Sequence, residues 1–221
     1  MSTKIKSLSF CIPACGLRET LLERAINSIH LQKIDIPYAI LVYGKTNLAT
    51  DLHRFIYKHN SHDPEKGRIN SMFNRLAEMS RSEFLVYMGD DQELIFRWWQ
   101  AVKKLDPALF DLTPFPVYQF EQDKDPFVWF SWCTKNNGIF RKKWSEPSNE
   151  TTYISTGCLI VRREVVLKIK FDESIGRGGD FLFSNSCFKA GYRLKTFPFM
   201  SSAYTLHYLA PAPYRIGDKK S

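Results

Sequence analysis

The sequence predicts an α/β fold, a mostly parallel, Rossmann-like sheet flanked by helices, as a single domain over residues 1–221. Short apolar runs alternate along the chain with segments whose apolar residues recur at helical spacing. Strands that alternate with helices of this length are typical of βαβ units, which build parallel sheets. With 221 residues, of which 44% are hydrophobic, the chain is long enough for one sizeable core.

The first half of the chain shows the clearest alternation. Residues 7–15 (SLSFCIPAC) predict a strand that ends at Pro13, and residues 16–30 predict a helix with Thr20 and Glu23 in capping-box spacing. Residues 38–44 (YAILVYG) predict a second strand. Two further helices are predicted from apolar stripes, formed by Leu48, Leu52, Phe55 and Ile56 in one and by Met72, Phe73, Leu76 and Ala77 in the other.

A strand over residues 83–91 (EFLVYMGDD) follows the third helix. Another helix is predicted after Asp91, because apolar side chains recur at helical spacing there. The residues of its inner side are Leu94, Ile95, Trp98, Trp99, Val102 and Leu105.

The second half of the chain begins with an irregular segment. Residues 110–152 contain several prolines and no long period, which indicates short strands and a mobile loop near 123–149. Regular patterns return at 153–169 (YISTGCLIVRREVVLKI) and in 171–199, where Asp180 opens a helix whose apolar side includes Phe183, Cys187 and Ala190.

Composition limits the classes of partner and the location. The net charge of +8, from 31 basic and 23 acidic residues, favours phosphate-bearing or polyanionic partners. Five cysteines without a CxxC pair indicate reduced, mostly buried thiols and no cysteine zinc site. No leader pattern and no membrane-length apolar run is present, so we expect a cytoplasmic protein, at most peripheral to a membrane.

Two adjacent acids, Asp90 and Asp91, follow the apolar run that ends at Met88. In a parallel α/β sheet the ligand lies beyond the carboxyl ends of the strands, so this tip and the tips 13–15 and 43–44 should face one crevice. Mg²⁺ or Mn²⁺ held by carboxylates and substrate phosphates is a common arrangement at such a place. The alternative is a solvated acidic turn without a ligand.

The order of these features resembles the GT-A-fold glycosyltransferases, especially those of the family 2 type, over nearly the whole chain. The matching features are the proline-containing turn after the first strand, Asn74 in the helix before the acidic strand, and the DxD-like tip, whose first acid falls on Gly89 and whose second falls on Asp91. Residues 156–166 (TGCLIVRREVV), the segment from Phe171 to Pro198, and His207 follow in the same order.

The resemblance implies transfer of a sugar from a nucleotide-diphosphate donor, a UDP-sugar, to a hydroxyl of a glycan or other acceptor, with inversion. It implies that residues 1–105 form the nucleotide-binding half and 106–221 the acceptor-binding half. Asp91 and His207 match the ligands of Mn²⁺ or Mg²⁺, and Asp180 matches the general base. The nucleotide-binding positions that match are Pro13, Ala14, Cys15, Arg18, Tyr43, Arg68, Asn74 and Asp90. Lys66 adds a further positive charge near the phosphates.

Several of these residues have a plain structural alternative. Asp180 after two glycines is a natural helix cap, and His207 between two large side chains is a natural packing residue. Trp129 and Trp132, which with Gly157 form the predicted acceptor site, are equally suited to a core. The family often places an acid at the second strand tip to bind the nucleotide base, whereas this chain has Tyr43, Gly44 and Lys45 there.

Two other classes of function are alternatives to sugar transfer. A nucleotidyltransferase needs a glycine-rich basic loop after the first strand, and the segment PACGLRE has one glycine and one arginine. A nucleic-acid-binding or non-catalytic nucleotide-binding module could use the positive charge and the aromatic residues. The basic residues are scattered, with small clusters only in FRKKW and in the terminal DKK, so nucleic acid is not the expected partner.

Overall fold

The computed structural model describes residues 4–46, 55–58, 69–120, 127–129, 132–133, 153–154, 157, 159–175, 179–195, 197 and 205–208. The elements in chain order are β1 (Leu8–Cys15), α1 (Glu19–His30), β2 (Tyr38–Lys45), β3 (Phe55–Lys58), α2 (Ile69–Met79), β4 (Phe84–Tyr87), β5 (Gln92–Leu94), α3 (Trp98–Val102), β6 (Leu112–Pro114), β7 (Val117–Phe120), β8 (Phe127–Trp129), β9 (Trp132–Cys133), β10 (Tyr153–Ile154), β11 (Leu159–Arg162), α4 (Arg163–Ile169), α5 (Gly179–Lys189) and β12 (Thr205–Tyr208).

A six-stranded sheet in the order β3-β2-β1-β4-β11-β6 forms the centre of the fold. The pairs β3–β2, β2–β1 and β1–β4 are parallel, whereas β11 runs antiparallel to both β4 and β6. The parallel strands β1 and β2 are joined by a crossover through α1, as the alternation of strands and helices predicts. The predicted α/β fold is therefore confirmed, with a mixed sheet.

Helices cover both faces of this sheet. Successive residues of β1 alternate between the two cores, so that Phe10 and Ile12 lie on the side of α1 and α3, and Cys11 lies on the side of α2, α4 and α5. Because each central strand is buried on both faces, its sequence is a nearly continuous apolar run. The third predicted helix is confirmed as α2, whose stripe residues Met72, Phe73, Leu76 and Ala77 are all buried.

A smaller four-stranded sheet, in the order β5-β12-β7-β8, joins the main sheet through the turn that carries the two acids. β5 begins at Gln92, directly after Asp91, and pairs antiparallel with β12 so that His207 lies opposite Gln92. β12 also pairs parallel with β7. This pairing brings the end of the described chain back to the tip of β4.

Three details of the predicted elements are wrong. Phe55 and Ile56 lie in strand β3, beside β2, because a short apolar run fits a strand as well as a helix turn, and Leu48 and Leu52 lie outside the described residues. Helix α1 begins at Glu19 with Arg18 as its N-cap and without a side-chain cap, so Thr20 and Glu23 form no capping box. The helix expected after Asp91 is preceded by strand β5, and only Trp98–Val102 is helical.

The helix at Asp180 is present as α5 and differs from the prediction at one apolar position. Phe183 and Cys187 are buried, but Ala190 follows the last helical residue and is exposed. Cys11 and Cys187 are free and buried, as expected for reduced thiols, and burial raises the pKa of both thiols above the ordinary value.

Some predictions fall on parts of the chain that the structure does not describe. The loop expected near 123–149 lies largely outside the described residues. Within that range the structure describes the strands β8 and β9. Among the described helices, none has both the length and the apolar character needed to cross a membrane. The cytoplasmic location and the division into halves at residue 105 stay predictions.

An ion-pair network connects the residue before β6 to the end of β11 and to the chain after α5. The Asp111 carboxylate accepts hydrogen bonds from Arg193 Nη2 at 2.8 Å and from Arg162 Nε at 3.2 Å, and Arg162 also pairs with Glu83 at 3.2 Å. Burial by itself would raise the pKa of Asp111, but the hydrogen bonds and charge of Arg193 and the charge of Arg162 lower it below the ordinary value.

We expect Asp111→Asn to lower the free energy of unfolding by about 2 kcal/mol at pH 7, or roughly 4 to 8 °C in Tm. Because the folded-state pKa is lowered, the ionised Asp111 stabilises the fold above the ordinary carboxyl pKa of about 4, and this stabilisation is lost as the pH falls below it. Thermal melts from pH 7 to pH 3 should therefore show the parent and the variant converging. Glu78→Gln, which breaks pairs with the exposed Arg75 and Lys170, is the control and should cost less than about 0.5 kcal/mol.

Candidate active site

The carboxyl ends of β1, β2 and β4 lie together at one edge of the main sheet. Ala14 pairs with Gly44 across β1 and β2, and Cys11 pairs with Tyr87, the last residue of β4. β1 continues beyond that pair to Cys15, so the turn Gly89–Asp91 after β4 lies beside the tip of β1. The carboxyl ends of the three strands therefore lie side by side, as expected.

One arginine lies between the two acids of this turn. Arg18 Nη1 donates to Asp90 Oδ1 at 3.2 Å and makes a shorter contact with Asp91 Oδ2. The exposed fractions of the three side chains are 8%, 9% and 8%, so this is a buried charge cluster and not a solvated acidic turn. Adjacent carboxylates repel each other, and a shared guanidinium offsets that repulsion through charge-assisted hydrogen bonds.

The geometry of the acidic turn explains the glycine at the first position of the DxD-like tip. A Cβ on Gly89 would lie 2.6 Å from Asp91 Oδ1, closer than real side chains approach. Gln92 closes the turn, because the Gly89 backbone N–H donates to its Oε1 at 2.6 Å. A side chain at position 89 would therefore displace the carboxylate of Asp91.

His207 reaches the same carboxylate from the other side. Its Nε2 lies 3.4 Å from Asp91 Oδ1, and the backbone N–H of Tyr208 donates to the carbonyl of Asp91 at 2.9 Å. Nδ1 of His207 is buried and has no hydrogen-bond partner within the described part of the chain. Asp91 therefore divides its oxygens, with Oδ2 directed to Arg18 and Oδ1 directed to His207.

These atoms fit a divalent ion with few protein ligands. Two atoms that each lie about 2.1 Å from one ion are separated by about 3 Å in octahedral geometry, close to the spacing of Asp91 Oδ1 and His207 Nε2. No group of three or more His, Cys, Asp or Glu side chains with metal-binding geometry occurs among the described residues. Mg²⁺ and Mn²⁺ commonly complete such a sphere with water and substrate phosphates.

The tip of β2 is packed tightly against β1 and α2. Gly44 has φ 126°, and a Cβ there would lie 2.2 Å from the Ala14 carbonyl oxygen and 2.6 Å from Met72 Cε. Tyr43 is buried beside it. A side chain at position 44 would require both an unfavourable backbone and a displaced neighbour, so only glycine suits this closest approach of the two strand tips.

A carboxylate that the sequence did not point to lies beside this tip. Thr46, just after β2, donates from Oγ1 to Glu19 Oε2 at 2.8 Å. Glu19 is the first residue of α1 and directly follows Arg18. The two neighbouring residues thus reach to opposite sides of β1, Arg18 toward the acids after β4 and Glu19 toward the end of β2.

Asp180 lies in the first turn of α5, at the same end of the sheet. A Cβ on the preceding Gly179 would lie 2.2 Å from Asn70 Oδ1, so the glycine lets α5 touch the start of α2. α2 runs back from this edge, since it connects β3 to the parallel strand β4. Asp180 is half-buried, and its Oδ1 accepts a hydrogen bond from the backbone N–H of Phe181 at 3.0 Å.

Both polar atoms of the Asn74 side chain form hydrogen bonds within the fold. Its Nδ2 donates to the Phe171 carbonyl at 2.9 Å and to Glu173 Oε1 at 2.8 Å, and its Oδ1 accepts from the Phe171 backbone N–H at 2.9 Å. The amide therefore fastens the chain before α5 to α2. A contact of Asn74 with the nucleotide stays a prediction.

The other predicted site residues are described only in part. Pro13 and Ala14 are buried at the tip of β1, and Gly157 is half-buried just before β11, which begins opposite the end of β4. Arg68 and Lys66 lie outside the described residues, and the structure describes only the backbone of Cys15, Trp129 and Trp132, the last residues of β1 and β8 and the first of β9.

Solved structures match this chain, although no known protein family matches its sequence and no curated protein is similar to it. S. aureus TarS 1-349 aligns with a TM-score of 0.62 at 14% identity, over 92% of this chain and 60% of the TarS chain. The TarS complex with UDP-GlcNAc gives 0.63 at 15% identity, over 98% and 62%. GalNAc-T7 with UDP, GalNAc and Mn²⁺ gives 0.59 at 13% identity, over 94% and 44%.

These neighbours define the fold. TarS and GalNAc-T7 are GT-A-type glycosyltransferases, and the α/β sheet with flanking helices described above is the fold that they share with this chain. The chain spans about three fifths of the length of TarS 1-349 and less than half that of GalNAc-T7.

Proposed function

We propose that this protein is a metal-dependent glycosyltransferase that moves a sugar from a UDP-sugar to a hydroxyl of a glycan or other acceptor, with inversion. The observation that carries the proposal is the buried cluster of Arg18, Asp90 and Asp91, with the half-buried His207 beside Asp91, at the strand tips of a GT-A fold. This edge of a parallel sheet is where such folds bind nucleotides. The hexosyl type of the transfer and the family 2 type are part of the proposal.

Each residue of the cluster has a role in this reaction. Asp91 and His207 hold Mn²⁺ or Mg²⁺, which supplies positive charge for the departing diphosphate when it is bound. Arg18 adds a second positive charge for the same group, and Asp90 positions Arg18. Pro13, Ala14 and Tyr43 form the wall of the nucleotide site at the tips of β1 and β2, and Cys15 and Arg68 complete the proposed set.

The proposed general base is a carboxylate of the first turn of α5. Asp180 takes the proton from the attacking acceptor hydroxyl, since its carboxylate lies at the start of α5 on the same edge of the sheet. Gly157, Trp129 and Trp132 are proposed to contact the acceptor. The choice of a UDP-sugar is supported by the neighbours, which were crystallised with UDP or UDP-GlcNAc in TarS and with UDP, GalNAc and Mn²⁺ in GalNAc-T7.

The proposal predicts that UDP and Mn²⁺ together raise the melting temperature. UDP at about 100 times its Kd adds about 2.7 kcal/mol, which corresponds to roughly 5 to 10 °C for a chain of this size. The comparison is made with UDP, CDP and GDP, each in Mn²⁺ and in chelator, with heparin as a polyanion control. An equal rise with UDP in chelator would refute the metal assignment. A rise with heparin alone would favour a polyanion-binding module.

A further inference from the structure

We propose that Arg18 couples the binding of the divalent ion to the binding of the donor diphosphate, so that each ligand binds weakly alone and tightly in the presence of the other. The inference rests on the proposed function and deepens it. It states how the divalent ion at Asp91 and His207 and the diphosphate beside it affect each other's binding.

The first step is the competition for Asp91. The guanidinium of Arg18 contacts Oδ2 of this carboxylate, while the proposed ion position lies between its Oδ1 and His207 Nε2. Both cations would therefore use the two oxygens of one buried carboxylate, within a few ångströms of each other. Like charges repel strongly at such a distance when water is largely excluded, so Arg18 opposes the ion as long as no further anion is near.

The second step is the effect of the diphosphate. Two carboxylates and one guanidinium leave a net charge of about −1, which a divalent ion would reverse. A nucleotide diphosphate brings several negative oxygens and can accept hydrogen bonds from a guanidinium in a forked geometry. When it binds, Arg18 can exchange the carboxylates for phosphate oxygens, and the ion then gains Asp91 without the opposing charge. The ion favours diphosphate binding in the same proportion, because coupling between two sites is reciprocal.

The third step is the position of Arg18 in the chain. Arg18 lies outside the helical part of α1, with φ −134° and ψ 40°, and follows Gly16, whose φ is 74°. A change in its side-chain direction therefore needs no unwinding of α1. Asp90 holds the guanidinium at 3.2 Å without contacting His207 in the described structure, so its role in this scheme is to keep Arg18 near the crevice.

Calorimetric titration of Mn²⁺, of UDP, and of Mn²⁺ in saturating UDP tests the coupling in the parent and in Arg18→Met. In the parent, UDP should tighten Mn²⁺ binding at least about tenfold. In Arg18→Met, Mn²⁺ alone should bind at least about tenfold more tightly than in the parent, and the tightening by UDP should fall at least about fivefold, to the part that phosphate oxygens on the ion supply directly. Arg75→Met, which removes one charge from the exposed face of α2, should leave all three titrations unchanged.

Arg18→Lys keeps the charge and serves as the second variant if Arg18→Met does not fold by circular dichroism. A lysine cannot bridge two carboxylates as a guanidinium does, so it should show coupling between the parent and the charge-free variant. Unchanged coupling in a folded variant, with UDP and Mn²⁺ still bound by the parent, would overturn this inference alone. Absence of any UDP binding by the parent would overturn the proposed function and this inference with it.

Discussion

Asp91→Asn is expected to lower the affinity for UDP in the presence of Mn²⁺ by about 100-fold or more. The substitution keeps the shape of the side chain but removes the charge that Arg18 and His207 share, and a neutral amide oxygen is a weaker ligand for a divalent ion than a carboxylate oxygen. Affinity for UDP in chelator should change little, so the metal-dependent difference should vanish. Calorimetric titration of UDP with and without Mn²⁺ measures this difference directly.

Asp90→Asn is the matched control for this experiment. It removes the neighbouring buried carboxylate, which also pairs with Arg18, but leaves Asp91 Oδ1 and His207 Nε2 unchanged. A loss of about tenfold or less is expected, because Arg18 then keeps Asp91 as a partner. The assignment of Asp91 as the metal ligand is wrong if its variant retains Mn²⁺-dependent UDP binding within a few-fold of the parent, or if both variants lose it equally.

The main sheet was predictable because burial determines the pattern of its strands. β1, β2 and β4 are covered by helices on both faces, and apolar runs such as FLVY at 84–87 follow from that burial. β3 was not predictable, since four residues of either period look alike and its pairing with β2 decides the outcome. The same ambiguity hid β5, whose three residues form a strand because β12 lies beside them.

The candidate site was predictable as a place but not as a set of contacts. Acids after a parallel strand point to the carboxyl edge of a sheet, and Asp90 and Asp91 lie there. That Arg18 bonds both acids depends on the β1–β4 register, because more than seventy residues separate the partners. The contact of Glu19 with Thr46 depends in the same way on the β1–β2 register and left no local pattern.

Gly179, Asn70 and Asn74 have roles in packing and hydrogen bonding that their spacing in the sequence does not reveal. Gly179 precedes the proposed base, and the group that requires its missing side chain is the amide of Asn70. Asn70 also donates to the carbonyls of Asp172 and Ile175, at 2.7 and 3.0 Å, while Asn74 holds Phe171 one turn further on. Two asparagines of α2 thus fix the chain that leads into α5, and through it the position of Asp180.

Asp180→Asn is expected to reduce sugar transfer by about 10² to 10⁴ while UDP binding with Mn²⁺ stays within about twofold of the parent. Asparagine keeps an oxygen that can accept the Phe181 N–H bond, so α5 should remain folded. The loss would then report the missing proton acceptor and not a displaced helix. The measurement is the release of UDP from UDP-GlcNAc or another UDP-sugar of a panel, which needs no identified acceptor because water can take its place.

A control variant separates the loss of the proposed base from the loss of a nearby negative charge. Asp172→Asn removes an exposed carboxylate of the same loop, one that bonds Ser174 and lies on the path into α5, and it should leave UDP release within about threefold of the parent. If Asp180→Asn also stayed within a few-fold, its carboxylate would serve only the first turn of the helix, where a negative charge is favourable for electrostatic reasons alone. A large loss in Asp180→Asn with intact UDP binding and an intact melting temperature is the outcome that only a proton-accepting role produces.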